Sequence, residues 1–130
     1  MIKFTVPGEP TPKARPRVTR YGTYTPKKTA AYEKLVRQCW SSQSGEKTDG
    51  AVSLTVKCYM PIPKSLSRKR RAELVGKPHT KKPDLDNLIK AVADGINGFA
   101  YDDDSSVCEI VGVKLYSTEP RTEVEIRDFQ

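Results

Sequence analysis

Hydrophobic and polar residues alternate along four stretches of the chain, as they do in half-buried β-strands. The first stretch is Ile2 to Val6, and the second is Ala51 to Met60, which Pro61 ends. Val107 to Tyr116 alternates with one irregularity, and Thr122 to Phe129 forms the last stretch. The pattern therefore predicts four strands, two of them adjacent at the C-terminal end of the chain.

Apolar residues at helical spacing predict two main helices between these strands. The first has Thr25 as its N-cap and Pro26 as its first helical residue, and it ends near Ser42. The second ends near Asn97, and it begins at about Asn87 if the chain before it stays extended through Asp86. The apolar side chains in and around the second helix form one stripe that is predicted to be buried: Leu85, Leu88, Ile89, Val92, Ile96 and Phe99.

A short helix is predicted upstream of the second main helix, capped by Ser65 or Ser67 and stopped by Gly76. Strands and helices then follow in the order β, α, β, short α, α, β, β, and helices between strands must cover the sheet that the strands form. We therefore predict an α+β fold. Residues 1–130 form a single domain with a mixed β-sheet of about four strands packed by two main helices.

The segment between the first strand and the first helix, PGEPTPKARPRVTRYGTYTP, contains four prolines after Gly8 and is incompatible with a regular helix. We predict an irregular basic loop, with Tyr21 and Tyr24 interleaved among cations that contact phosphate. The alternative is a loop that is merely solvated. The basic residues of this arm are Lys13, Arg15, Arg17 and Arg20.

A second basic segment runs from Lys64 to Lys82 and contains eight lysines and arginines against one acid, Glu73. A run of charge is often just a solvated face, but this one leads directly into a group of aspartates. We predict that it holds a DNA backbone. The residues assigned to this contact are Arg68, Lys69, Arg70, Arg71, Lys81 and Lys82.

Composition favours a polyanionic partner, because the chain has a net charge of +7 and a pI near 9.4. Three cysteines, Cys39, Cys58 and Cys108, accompany a single histidine at no zinc spacing, and we expect them to be small core residues. No apolar run approaches the length of a membrane span, and no signal region is present. We expect a soluble protein of the bacterial or phage-infected cytoplasm.

The candidate chemistry lies in two groups of aspartates, Asp84 with Asp86 and the run Asp102 to Asp104. Pro83 favours an extended entry, and if that conformation lasts through Asp86, the first two carboxylates share a side. Two helical residues at this spacing would instead point about 200° apart. Either aspartate could also be just a helix cap.

A bound cation reduces the repulsion between clustered carboxylates, and oxygen ligands suit Mg²⁺ better than zinc. A calcium-binding EF-hand is disfavoured because Ile89 and Gly95 occupy its glycine and glutamate positions. Lys90 lies four residues after Asp86, within reach of such a site. It could neutralise a phosphate oxygen, or it could simply pair with Asp86.

The stretch KPDLDNLIKAVADGIN followed by YDDDSSV resembles the RusA-type Holliday junction resolvases. The resemblance extends more loosely to the N-terminal arm and the tyrosine-containing helix after it. It implies a homodimer that binds branched DNA, in particular four-way junctions, and resolves them in recombination and repair by paired nicks. It also implies Mg²⁺ as the cofactor, with Mn²⁺ as a substitute.

By position, the resemblance implies that Asp84, Asp86 and Asp104 are catalytic and hold the metal, that Asp103 assists as a metal ligand, and that Lys90 is catalytic. The third aspartate of the run, Asp102, blurs the register, and the segment before the run is short. The choice between Asp103 and Asp104 stays open, with Asp104 preferred. Two other functions use the same residues: a non-catalytic nucleic-acid-binding module, and a less selective branched-DNA or flap nuclease.

Overall fold

The computed structural model describes residues 1–15, 17–24 and 26–129, without the side chains of Arg17 and Tyr24. Thr25, expected to cap the first main helix, therefore lies outside the described residues. The elements in chain order are β1 (Ile2–Pro7), β2 (Arg17–Thr19), β3 (Gly22–Tyr24), α1 (Lys27–Gln43), β4 (Val52–Pro61), α2 (Arg68–Leu74), α3 (Leu85–Ile96), β5 (Val107–Ser117) and β6 (Arg121–Asp128).

Four of the strands form one mixed sheet in the order β1, β6, β4, β5. β4 and β5 run parallel, while the other neighbours are antiparallel. A parallel pair needs a crossover connection, and α2 and α3 lie in that connection between β4 and β5. The predicted α+β fold, with a mixed four-stranded sheet and two main helices, is confirmed.

The core lies between one face of the sheet and the two main helices, which pack against each other. The alternating apolar side chains of β1, β4 and β6 are buried apart from the half-buried Ile2, as are the main apolar positions of both helices, whereas those in the middle of β5 are exposed. No helix in the described part of the chain is long and apolar enough to cross a bilayer. The buried side chains that define the core include Phe4, Val6, Val36, Trp40, Leu54, Val56, Leu88, Val92, Val124 and Ile126.

Two glycines allow α3 to approach its neighbours closely. A Cβ at Gly95 would lie 2.9 Å from the carbonyl oxygen of Glu33 and 3.2 Å from Cβ of Val36, both on α1. A Cβ at Gly112 on β5 would lie 2.6 Å from the end of the Ile89 side chain on α3. The main helix pair and the helix-to-sheet contact thus both depend on a missing side chain.

Two predicted core residues are exposed. Phe99 is 44 % exposed, because α3 ends at Ile96 and helical spacing no longer places residue 99 on the buried stripe. Its ring instead packs under the guanidinium of Arg37, 4.3 Å from the centroid. Cys108 is exposed near the start of the edge strand β5, so that only Cys58 of the three cysteines is fully buried.

The helix and arm between the predicted strands also differ in part from expectation. Pro26 occupies the N-cap of α1 rather than its first helical position. The arm is not irregular throughout, because β2 and β3 pair as a small antiparallel hairpin. The short helix is as predicted: Ser67 is the N-cap of α2, and its side chain accepts a hydrogen bond from the amide of Arg70 at 3.2 Å.

Candidate active site

The first pair of aspartates lies at the N-terminus of α3. Asp84 is the extended N-cap, and its carbonyl accepts the amide of Leu88, so the helix begins at Leu85. The predicted start at Asn87 is wrong, because the extended conformation ends at Asp84 and both Leu85 and Asp86 are already helical. Asp86 is therefore helical while Asp84 is extended. The condition under which the two carboxylates were predicted to share a side, an extended chain through Asp86, is not met.

The side chain of Asp84 is not used as a cap. It accepts a hydrogen bond from Nζ of Lys82 at 2.9 Å, in an exposed ion pair. That hydrogen bond, and then the charges of Asp84 and Asp86, raise the pKa of the Lys82 ammonium. Both carboxylates therefore contribute negative potential at the Lys82 ammonium, and Asp84 is the one that contacts it.

The three consecutive aspartates have three different partners. Asp102 forms an ion pair with Lys47 at 2.6 Å. Asp103 caps the 3₁₀ turn of residues 104–106 by accepting the amide of Ser105. Hydrogen bonding with the Ser105 side chain, and then with this amide, lowers the pKa of the Asp103 carboxyl group. Asp104 is the one held by a buried side chain, and this favours it over Asp103 as a site residue.

Tyr101 is that buried side chain. Its hydroxyl lies 3.2 Å from Oδ1 of Asp104 and 3.3 Å from the carbonyl oxygen of Ala93 on α3, so one proton can be donated to either. Burial, together with the charges of Asp94 and Asp103, raises the pKa of Asp104, although the Tyr101 hydrogen bond opposes the rise. Tyr101 thus fixes Asp104 beside α3, a role that its sequence position alone did not suggest.

Asp86, Lys90 and Asp94 follow one another at four-residue spacing on α3 and therefore lie along one side of the helix. Lys90 is exposed and forms no salt bridge with Asp86 within the described residues. The positive charge of Lys90 instead acts on Asp104, where it partly offsets the rise in the pKa of the carboxyl group. Lys90 therefore lies between the aspartates at the start of α3 and the aspartate held by Tyr101.

Lys13 was expected to contact phosphate, but its ammonium is directed into the protein. Nζ lies 2.7 Å from Glu33 on α1 and 3.1 Å from Asp94 on α3, and the side chain is only 14 % exposed. The backbone amide of Lys13 donates to the carbonyl oxygen of Asn87 at 2.9 Å. Lys13 therefore joins the arm to both helices beside the aspartates, and its ammonium is occupied by these ion pairs rather than directed toward a DNA backbone.

The other basic residues lie on the surface. Arg15, Arg20 and the four basic residues of α2 are exposed, as are Lys81 and Lys82. Arg17 belongs to β2, but its side chain is outside the described residues. The two basic segments are thus available at the surface, apart from Lys13 and the ion pair of Lys82 with Asp84.

The aspartates have the oxygen donors that Mg²⁺ prefers. Within the described residues, however, no three His, Cys, Asp or Glu side chains are grouped so that they could hold a metal ion together. Magnesium is usually bound through one or two carboxylates, with waters and substrate phosphate completing the shell. The pair Asp84 and Asp86 fits such a site chemically, whereas the structure does not bring Asp104 into one three-carboxylate cluster with them.

Lys114 is a residue near the site that sequence reasoning missed. It lies on β5, and its Nζ donates to the carbonyl oxygens of Lys81 and Pro83, both at 2.6 Å. The backbone of β5 also pairs with segment 76–79 just upstream. Together these contacts fix the chain that leads into Asp84.

We expect Lys114→Met to loosen the start of α3. Hydrogen bonds to a charged group contribute about 1.5–3 kcal/mol each, so exchange of the Leu88 amide should accelerate about ten- to a hundredfold. Hydrogen exchange followed by NMR measures this rate. Lys57→Met, on the neighbouring strand β4, is the matched control. Equal Leu88 exchange in the two variants would contradict the role given to Lys114.

The sequence was compared with known proteins. A protein of Bacillus subtilis (strain 168), described as "Uncharacterized protein YqaN", is 42% identical over 136 residues, which cover 98% of this chain and 96% of that protein. The family described as "Endodeoxyribonuclease RusA" matches residues 7–127. That match includes both groups of aspartates and supports the role of a Holliday junction endonuclease. Because it spans nearly the whole sequence, the chain belongs to the RusA family of endodeoxyribonucleases.

Proposed function

We propose that this chain, as a single domain of residues 1–130, resolves four-way DNA junctions by paired, Mg²⁺-dependent hydrolysis of phosphodiester bonds. The observation that carries the proposal is the arrangement along α3. Asp84 and Asp86 lie at its N-terminus, Lys90 follows on the next turn, and Asp104 is fixed beside it by Tyr101. Family membership supports the endonuclease role, and this arrangement supports the assignment of residues.

The proposed metal ligands are Asp84, Asp86 and Asp104, with Mn²⁺ as a substitute for Mg²⁺. Because the three carboxylates are not grouped in the described structure, Asp104 would have to approach the other two as the ion binds. A bound cation would polarise the phosphate and lower the pKa of a coordinated water. The hydrogen bonds that already hold Asp103 and Asp102 elsewhere argue for Asp104 as the third ligand. Binding would require Asp84 to exchange its ion pair with Lys82 for the metal.

Lys90 is proposed to act on the substrate phosphate. Its ammonium is exposed, lies near Asp104 and forms no salt bridge among the described residues. A cation fixed beside a phosphodiester stabilises the negative charge that develops on the oxygens in the transition state. The proposed contacts to the rest of the DNA are Arg15, Arg17, Arg20, Arg68, Lys69, Arg70, Arg71, Lys81 and Lys82.

A homodimer is part of the proposal, because a two-fold symmetric junction needs two cuts. The outer edge of β5 is the proposed dimer interface. Segment 76–79 pairs with the outer side of residues 114–116, and along the described chain no strand covers the outer side of residues 107–113. The uncovered part exposes apolar side chains of Ile110, Val111 and Val113. Such an edge can pair with the same edge of a second copy.

The test uses a synthetic four-way junction, a flap and a linear duplex of equal length, with Mg²⁺ or with EDTA. We expect symmetric nicks in the junction, with Mg²⁺ only, and little cutting of the duplex. Equal cutting of flap and junction would identify a less selective nuclease, and binding without cutting would identify a non-catalytic module. A supercoiled plasmid that extrudes a cruciform tests paired cleavage, because two cuts in one encounter give linear DNA rather than a nicked circle.

A further inference from the structure

The hairpin of β2 and β3, residues 17–24, exposes large apolar side chains that have no role in the candidate active site. Val18 faces Thr23 across the strands, and the tip is closed by Thr19 and Gly22. The Thr19 hydroxyl accepts the amide of Tyr21 at 3.2 Å and lies 3.1 Å from the carbonyl oxygen of Gly22. These contacts give the tip a defined shape.

The start of the arm is attached beside the candidate active site. The amide of Lys13 bonds to Asn87, one residue after Asp86, and the amide of Ala14 donates to the hydroxyl of Thr29 on α1 at 3.1 Å. Tyr21 follows Ala14 by seven positions in the sequence, and a fully extended chain spans at most about 3.5 Å per residue. The tip therefore lies within roughly 25 Å of that attachment.

The tip exposes large apolar side chains. Tyr21 is 87 % exposed and Val18 is 80 % exposed. The guanidinium of Arg20 lies over the Tyr21 ring, 5.1 Å from its centroid. An exposed aromatic ring beside arginine, on a chain with a net charge of +7, matches the surface of a nucleobase next to its phosphate.

We propose that Tyr21 stacks on a base at the branch point of the junction, with Val18 packed beside it and Arg20 on the adjacent phosphate. The inference rests on the proposed function and adds a residue that makes binding selective for branched over linear DNA. Inside a duplex both faces of every base are covered by neighbours, whereas a base at a branch point can offer one face to a protein ring. Stacking is independent of sequence, so Tyr21 recognises structure.

The test measures binding in EDTA, which prevents Mg²⁺-dependent cleavage, with the full chain and a four-way junction that has 2-aminopurine at the branch point. We expect the wild type to change the 2-aminopurine fluorescence on binding. Tyr21→Ala should lose this change and bind the junction about tenfold more weakly, with duplex affinity unchanged. Tyr21→Phe should behave like the wild type, because the ring is retained. The ring is exposed, so neither variant should affect folding.

Thr23→Ala, on the same hairpin, is the matched control and should leave both signals unchanged. Equal junction preference and equal fluorescence change in Tyr21→Ala and wild type would overturn this inference alone. An equal loss of affinity for junction and duplex would also overturn it, because Tyr21 would then act as a general DNA contact. A wild-type chain without any preference for junctions would overturn the proposed function together with the inference.

Discussion

Asp86→Asn is expected to abolish cleavage of a four-way junction while junction binding persists. Asparagine has nearly the same shape as aspartate, so the first turn of α3 should be preserved. The amide is a poor ligand for Mg²⁺, however, and loss of Lewis-acid stabilisation worth several kcal/mol corresponds to a rate decrease on the order of a thousandfold. Single-turnover cleavage and a gel-shift titration in Ca²⁺ measure the two quantities separately.

The aspartate run provides a matched comparison within three residues. Asp104→Asn should also abolish cleavage, because Tyr101 fixes its carboxylate beside Lys90 and Asp94. Asp102→Asn should retain nearly full activity, because its partner is Lys47 in an exposed ion pair. Cleavage by Asp86→Asn at close to the wild-type rate would show that the metal is held elsewhere, and a loss in Asp102→Asn would shift the third ligand to that residue.

Periodicity alone was enough to predict most of the fold. The strands around Phe4, Val56 and Ile126 alternate because one face of the sheet is buried, and α1 and α3 have the wide apolar stripes of helices that cover such a face. The prediction extended the buried stripe of α3 one step too far, to Phe99. A periodic pattern does not mark the residue at which a helix ends, unless a capping signal is taken into account.

The start of α3 shows how far local rules extend. Proline restricts the residue before it, so Pro83 determines the conformation of Lys82 but not of Asp86. The choice of N-cap among Asp84, Asp86 and Asn87 is made by the loop that approaches the helix. That loop is fixed by Lys114, which lies about thirty residues later on β5. Single-sequence propensity contains no information about such a contact.

The charge of a basic residue also did not predict whether it pairs with an acid of the protein or stays exposed. Lys13 and Arg15 look alike in a basic, proline-rich segment, yet Lys13 is half-buried between Glu33 and Asp94 while Arg15 is exposed. The hairpin of β2 and β3 was not predicted, because its strands have only three residues each and the prolines on either side favoured an irregular loop. The resemblance to a family identified Asp104, and only the contacts of Tyr101 gave a physical reason for preferring it to Asp103.

Gly95→Val is expected to be the most destabilising single substitution on the surface between α1 and α3. Its Cβ would lie 2.9 Å from the Glu33 carbonyl oxygen and 3.2 Å from Cβ of Val36, and backbone atoms cannot rotate away. Overpacking typically costs about 1–3 kcal/mol, and valine adds two methyl groups beyond that Cβ. A loss of about 3 kcal/mol would lower the melting temperature by roughly 10 °C.

Gly95→Ala separates the steric effect from helix propensity. Alanine favours a helix over glycine by about 1 kcal/mol, so an exposed glycine would gain stability from this change. At position 95 we expect a net loss, because the same Cβ meets the Glu33 backbone. Gly112→Ala is the matched control, since its Cβ would meet only the flexible end of Ile89 and should cost less. Urea unfolding followed by circular dichroism ranks the three variants. Stability of Gly95→Ala equal to the wild type would show that α1 and α3 can move apart at little cost. The two ion pairs of Lys13, with Glu33 on α1 and Asp94 on α3, would then not depend on the close approach of the helices.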